Sequence, residues 1–202
     1  MKRLELYESL ISRGVLKSSS LMRAFERIDR SDFVPESLQG MAYEDRPLPI
    51  GSSQTISQPY TVVFMLELLQ PQPNDRVMDL GSGSGWTTAL LASICKSVDA
   101  VERHTGLLEF SKENLSKYNF SNIDLHQAKQ SLGLSGEYFD KILVSCAAEE
   151  LPQSLLDQLS PKGVMVIPIK HSIYKVMKTD TGSLEIEEYP GFVFVPLIRD
   201  DL

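Results

Sequence analysis

The chain has little of what marks many specialised proteins. Only two of its 202 residues are cysteine, Cys95 and Cys146, and each sits in an apolar segment. They are expected to be reduced, buried thiols, since their spacing suits neither a disulfide framework nor a metal site. The three histidines, His104, His126 and His171, lack the neighbours of a triad or a metal cluster, so no metal is expected. No apolar run reaches the roughly 18 residues of a membrane span. The charged N-terminus "MKRLELYESL" has no signal-peptide core. Positive charge is also scarce: 20 basic residues face 27 acidic ones, a formal net charge of −7. That argues against nucleic acid as a partner, because its phosphates need a basic surface. A soluble, cytoplasmic protein with no membrane partner is the expectation. No internal repeat or low-complexity tract breaks the chain.

What is present is a change of texture. Residues 3–12 and 19–29 read as amphipathic helices, with Leu21, Met22, Phe25 and Ile28 on one face of the second and "KSSS" supplying N-cap hydroxyls. Pro35 breaks the pattern. A further helix runs from about Pro59 to Gln70 and stops at "PQPND". From Arg76 onward, the β-rich runs "RVMDL", "SVDAVE", "NIDLHQA", "FDKILVSCA" and "GVMVIPI" alternate with helix-compatible stretches. Alternation at this length means βαβ units and a parallel sheet covered on both faces. In the tail, "SIYKVMKTD", "SLEIEEY" and "FVFVPLI" follow one another without helices and should close the sheet antiparallel. The fold expected is α/β: a Rossmann-like, doubly wound, mostly parallel sheet with N-terminal helices and a C-terminal antiparallel strand pair. One unit spans 1–202, with helices and an active-site loop over 1–58 and the Rossmann-like core over 59–202.

"VMDLGSGSGW" carries the first chemical content. A strand ends in Asp79, and Gly81, Gly83 and Gly85 lead into a helix. Glycines there let a ligand approach the backbone, and the first turn of a helix offers free N–H groups. In open α/β sheets, ligands bind beyond the carboxyl ends of the strands. The second strand ends in Glu102, where a carboxylate reaches both hydroxyls of a ribose. The dinucleotide fingerprint G-x-G-x-x-G fails, because Trp86 or Thr88 falls at its last glycine. The spacing G-x-G-x-G after an acidic residue resembles instead the glycine loop of S-adenosylmethionine-dependent methyltransferases. That resemblance gives Asp79 and Glu102 two tasks, one near the methionine ammonium and one on the ribose. Arg103 beside Glu102 joins the expected cofactor-binding residues.

The long irregular segment Ala42–Pro59 holds three prolines, a Gly-Ser-Ser step and four short hydroxyls. Long loops in compact proteins are often functional. Within it, "YEDRPLPIG" and "SQTISQP" closely resemble the signature of protein-L-isoaspartate O-methyltransferases. "FVPESLQGMAYEDRPLPI", "LDQLSPKGVMVIPI" and "FVFVPL" extend the similarity over roughly residues 25–198. The resemblance implies methyl transfer from S-adenosylmethionine, leaving S-adenosylhomocysteine, to the α-carboxyl of L-isoaspartyl residues in damaged proteins and peptides. It implies that Ser57 is the active-site serine and that Thr55, Ile56, Gln58 and Tyr60 line the cofactor side. The protein is expected to act as a monomer. No G-x-S-x-G elbow surrounds Ser57, so it is not a hydrolase nucleophile.

Two stretches depart from the family's pattern. Ala128, Lys129 and Gln130 stand where the family commonly carries Gly-Asp-Gly, whose aspartate accepts from the adenine amino group. Lys129 has no acceptor to offer, and an unmade hydrogen bond to a buried amine costs about 1–3 kcal/mol. Lys129 is nonetheless counted with the cofactor site by its position. "CAAEE" at 146–150 replaces "AAAPE". A catalytically weak relative that binds isoaspartyl or other carboxylates is the alternative of a different class; a carboxyl methyltransferase of other specificity is the conservative one.

Overall fold

The computed structural model describes residues 2–129 and 131–197; Gln130 and the terminal "IRDDL" lie outside the described residues. The opening segments form α1 (Arg3–Ser12) and α2 (Ser19–Arg27), which bury Leu6, Leu10, Leu21, Ala24 and Phe25. The N-cap Ser18 does not cap α2 through its side chain. The Ser18 hydroxyl and the N–H groups of Lys17 and Ser18 all donate to Glu67 Oε1 at 2.7–3.0 Å, so a single carboxylate takes donors that local capping was expected to use. Two 3-10 turns follow, Arg30–Phe33 and Glu36–Met41. The irregular segment contains a small hairpin of β1 (Leu48–Gly51) and β2 (Gln54–Ile56), which pair antiparallel. Its turn is made by Ser52 and Ser53, both left-handed at φ 51° and 56°. Helix α3 (Pro59–Leu69) begins on proline, whose missing N–H is unneeded in a first turn, and ends at left-handed Gln70.

The main sheet is built from β3 (Arg76–Leu80), β4 (Ser97–Glu102), β5 (Ile123–Gln127), β6 (Phe139–Val144), β7 (Leu159–Ile169), β8 (Ser172–Lys178) and β9 (Leu184–Pro190). The strand order is β5-β4-β3-β6-β7-β8-β9, parallel through β7, with β8 and β9 antiparallel. The chain runs outward from β3 to β5 and then returns to place β6 on the other side of β3. That reversal is the switch point where open α/β sheets bind ligands. Alternate residues of each strand serve opposite faces. Val77, Val98, Leu143 and Val166 join the core formed with α1, α2, α3, α4 (Trp86–Ala92) and α5 (Thr105–Ser116). Met78, Ile142, Val144, Met165 and Ile167 face the other way, under α6 (Gln153–Asp157). The two faces are thus covered unequally.

The tail corrects one expectation. "FVFVPL" does not add a strand to the hairpin. Gly191, at φ 97°, turns the chain, and the N–H groups of Gly191 and Phe192 both donate to the His171 carbonyl at 3.0 Å. The segment then crosses the strand ends. Ala147 N–H donates to Val195 O at 2.8 Å, and Leu197 N–H donates to Ala147 O at 2.7 Å. Pro190 and Pro196 lack the donors a regular ladder needs. Among the described residues, no helix is long and apolar enough to cross a membrane, and no cluster of His, Cys, Asp or Glu is placed to hold a metal.

Candidate active site

A cavity opens at the switch point. Its floor is the loop Gly81–Ser84 after β3 and Ser145–Cys146 after β6. Glu102, Arg103 and His104 form one wall, and the hairpin residues Ile50 and Gln54–Ser57 close over the other. The crossing segment Val195–Leu197 completes the rim.

The glycine loop folds as the local sequence demands. Gly81 N–H donates to Val101 O at 2.8 Å, which carries the chain off β3 alongside β4. Gly85 has φ 90°, and a Cβ there would lie 2.9 Å from Ser111 Oγ. Glycine is therefore required both for the left-handed backbone and for the close approach of α5. Glu102 is almost fully buried, yet it is held in one orientation. Its Oε2 accepts from Gly83 N–H at 2.9 Å, and its Oε1 accepts from the N–H groups of Arg103 and His104 at 2.9 and 2.8 Å. Each carboxylate oxygen has two lone pairs, so Oε2 keeps one for a ligand hydroxyl. Ser82 Oγ is buried on the cavity lining and, among the described residues, has no hydrogen-bond partner. A buried hydroxyl without a partner is rare enough to call for one.

Asp79 lies deeper than a wall residue. It is fully buried beneath the loop, its Oδ2 accepts from Thr87 Oγ1 at 2.8 Å and Thr88 Oγ1 at 2.7 Å, and its Oδ1 has no partner among the described residues. Burial pushes its carboxyl up to about 6, against the two threonine hydroxyls that favour the charged form. The Cys146 thiol is pushed up to about 12 by burial, with the charges of Glu102 and Asp79 adding to the effect. At neutral pH it is a neutral packing group, not a nucleophile.

Of the residues singled out from sequence, Ser57, Thr55, Ile56, Gly81, Gly83, Glu102, Arg103 and Lys129 come together around this one cavity. Gln58, Tyr60, Asp79 and Gly85 stand behind its walls. Gln58 precedes α3, and its carbonyl accepts from Val62 N–H at 3.1 Å. The Tyr60 ring lies under the Arg13 guanidinium, 4.3 Å from its centroid, and its N–H donates to Asp45 Oδ1 at 2.9 Å. Lys129 is exposed at the rim. Trp86 is both core and wall: it packs edge-on against Phe25 and lines the cavity. His104 lines the cavity too, whereas His126 pairs with Asp99 at 2.8 Å on β4. Cys95 and Cys146 are free and buried, as expected. Sequence reasoning passed over Ser82, Ser145 and the buried Arg30. The signal for Arg30 was a basic residue between apolar Ile28 and Phe33.

The family model for protein-L-isoaspartate(D-aspartate) O-methyltransferase matches residues 1–201. The chain belongs to this family. A protein-L-isoaspartate O-methyltransferase of Petrotoga mobilis is 39% identical over 96% of this chain and 94% of its own. One from Methanopyrus kandleri is 39% identical over 98% and 92%. The crystal structure described as a putative member from Plasmodium falciparum, in complex with S-adenosyl-L-homocysteine, superposes with a TM-score of 0.83. It is 26% identical and aligns over 97% of this chain and 98% of that one. Family membership makes sense of the cavity. The unpartnered Ser82 hydroxyl, the lone pair left on Glu102 and the close-packed glycine loop are a fitting donor and acceptor set for the hydroxyls and amino-acid end of S-adenosylmethionine.

Proposed function

We propose that the protein methylates the α-carboxylate of L-isoaspartyl residues in damaged proteins and peptides, with S-adenosylmethionine as donor and S-adenosylhomocysteine as product. The observation that carries this reading is the placement of Ser57. The residue follows β2, faces the cavity across from the glycine loop, and among the described residues its hydroxyl makes no hydrogen bond within the protein. Glu102 and Ser82 bind the cofactor from one wall, Ile56 and Val62 shield it, and Ser57 with Thr55 receives the substrate at the mouth. When bound, the cofactor supplies an electrophilic methyl group on sulfur.

The protein's own work is then positioning. A free carboxyl titrates near pH 4, so the substrate is already ionised at neutral pH and needs no strong base. A hydroxyl such as that of Ser57 orients the carboxylate without protonating it, and the hairpin excludes water around it. The product ester is a better acyl donor than the carboxylate. The backbone nitrogen of the following residue attacks the ester carbonyl, methanol leaves, and the resulting succinimide takes up water to give aspartate or isoaspartate. Repair is the part that opens to aspartate. Two buried unpaired thiols suit the reducing cytoplasm. We read the protein as a monomer there, with no nucleic-acid partner, given its net charge of −7. An isoaspartyl peptide incubated with protein and S-adenosylmethionine should convert progressively to its aspartyl isomer on reverse-phase chromatography; unchanged retention after repeated cycles would contradict the reading.

One observation favours a second reading. Lys129 stands exposed at the rim, where the family commonly carries an adenine-binding aspartate. A protein that holds isoaspartyl carboxylates with weak turnover would show peptide binding in calorimetry and no methyl transfer at saturating cofactor.

A further inference from the structure

Arg30 is a buried cation, 3% exposed, in a part of the chain the active site does not otherwise use. Its guanidinium reaches both ends of the segment that carries Ser57. Nη1 donates to Ala42 O at 2.5 Å and more weakly to Glu44 O at 3.4 Å. Nη2 donates to Arg46 O at 3.1 Å and to Ser57 O at 3.0 Å. All four acceptors are backbone carbonyls. Three precede the β1–β2 hairpin and the fourth follows it, so one planar group closes the base of the hairpin. Burial lowers its pKa to about 10, which still leaves it charged at neutral pH. Its carbon lies 5.3 Å from the centroid of Trp86, a cofactor-cavity wall.

We propose that Arg30 is a positioning residue for methyl transfer: by tying the Ser57 carbonyl to residues 42–46 ahead of the hairpin, it fixes the Ser57 hydroxyl against the glycine loop. The inference rests on the reading of Ser57 as the group that orients the substrate carboxylate. A fork of donors is what the task requires. A lysine presents its donors from a single atom and does not bridge two separated sets of carbonyls. A displacement of about 1 Å in a group that aligns reactants costs on the order of a hundredfold in rate. The cofactor wall of Glu102 and Ser82 belongs to other elements and is left in place. Arg30 also lines an open groove between α1 and α2, with Leu6, Tyr7, Phe25, Ile28 and Trp86.

The test compares Arg30→Gln, Arg30→Lys and Ser57→Ala in the full chain. Calorimetry gives the Kd for S-adenosylhomocysteine, and single-turnover methylation of an isoaspartyl peptide gives the rate. Both Arg30 variants should lose about a hundredfold in rate at saturating cofactor and peptide, while the Kd stays within about threefold. Guanidinium chloride below denaturing concentration should enter the groove and raise the rate of Arg30→Gln, but not that of Ser57→Ala. If Arg30→Gln does not fold, Arg30→Lys carries the test, because it keeps the buried charge and removes only the fork. Wild-type rates in either variant, a parallel loss of rate and cofactor binding, or no response of folded Arg30→Gln to guanidinium would overturn the inference. An unimpaired Ser57→Ala would overturn the reading of Ser57 instead.

Discussion

Replacing Asp79 by asparagine isolates one electrostatic cost of the cofactor loop. Asp79 is fully buried, and its folded-state carboxyl lies at about 6 against a reference of 3.8. A raised carboxyl binds its proton more tightly in the folded chain. Between about pH 4 and 6 the unfolded chain therefore holds fewer protons, and stability falls as pH rises through that window, then levels off. A shift of roughly two units corresponds to about 3 kcal/mol lost in full above pH 6. Asparagine has nearly the same shape, carries no charge, and pairs with the Thr87 and Thr88 hydroxyls by rotating them. The stability difference between Asp79→Asn and the parent chain should therefore grow in favour of the variant by about 2 kcal/mol from pH 4.5 to pH 7. Urea unfolding of both proteins at the two pH values measures it, and taking the difference cancels the other titrating groups. Equal differences at the two pH values would refute the claim that burial dominates Asp79.

Three further substitutions test the site. Ser57→Ala should lower kcat by about a hundredfold while leaving the Kd for S-adenosylhomocysteine within about threefold; calorimetry and a methylation assay separate the two. Lys129→Asp restores an acceptor at the cavity rim and should tighten S-adenosylmethionine about tenfold, as read by equilibrium titration. Gly85→Ala puts a side chain on left-handed backbone 2.9 Å from Ser111 Oγ. It should cost at least about 1–2 kcal/mol of stability in urea and weaken cofactor binding measurably in the same titration.

Much of the fold and site is legible locally. The strand–helix alternation after Arg76 reports a parallel sheet because each run is short and bounded by turn residues. Gly81, Gly83 and Glu102 fall at the carboxyl ends of β3 and β4, so their positions follow once the strands are found. Ser57 is singled out because it sits in an unusually distinctive segment, and the structure places it on the cavity lining. What escapes is what depends on distant chain. The grip of Arg30 on residues 42–57 joins a 3-10 turn to a hairpin that no periodicity links. The donors before α2 go to Glu67, a residue on another helix, instead of capping locally. "FVFVPL" has strand composition, yet its backbone is used to cross the strand ends and rim the cavity. Ser145 and Cys146 reach the site only because β6 lies beside β3, a matter of strand order that composition does not encode. Asp79 shows the converse: its motif is plain in the sequence, but its placement under the loop, and not on the cavity wall, is a tertiary fact.

The central claim is tested most directly with two peptides that differ only in aspartate or isoaspartate at one position. Each is incubated with the full chain and methyl-labelled S-adenosylmethionine. The account predicts base-labile label on the isoaspartyl peptide alone. No label on either peptide, from folded protein at saturating cofactor, or equal label on both, would contradict it.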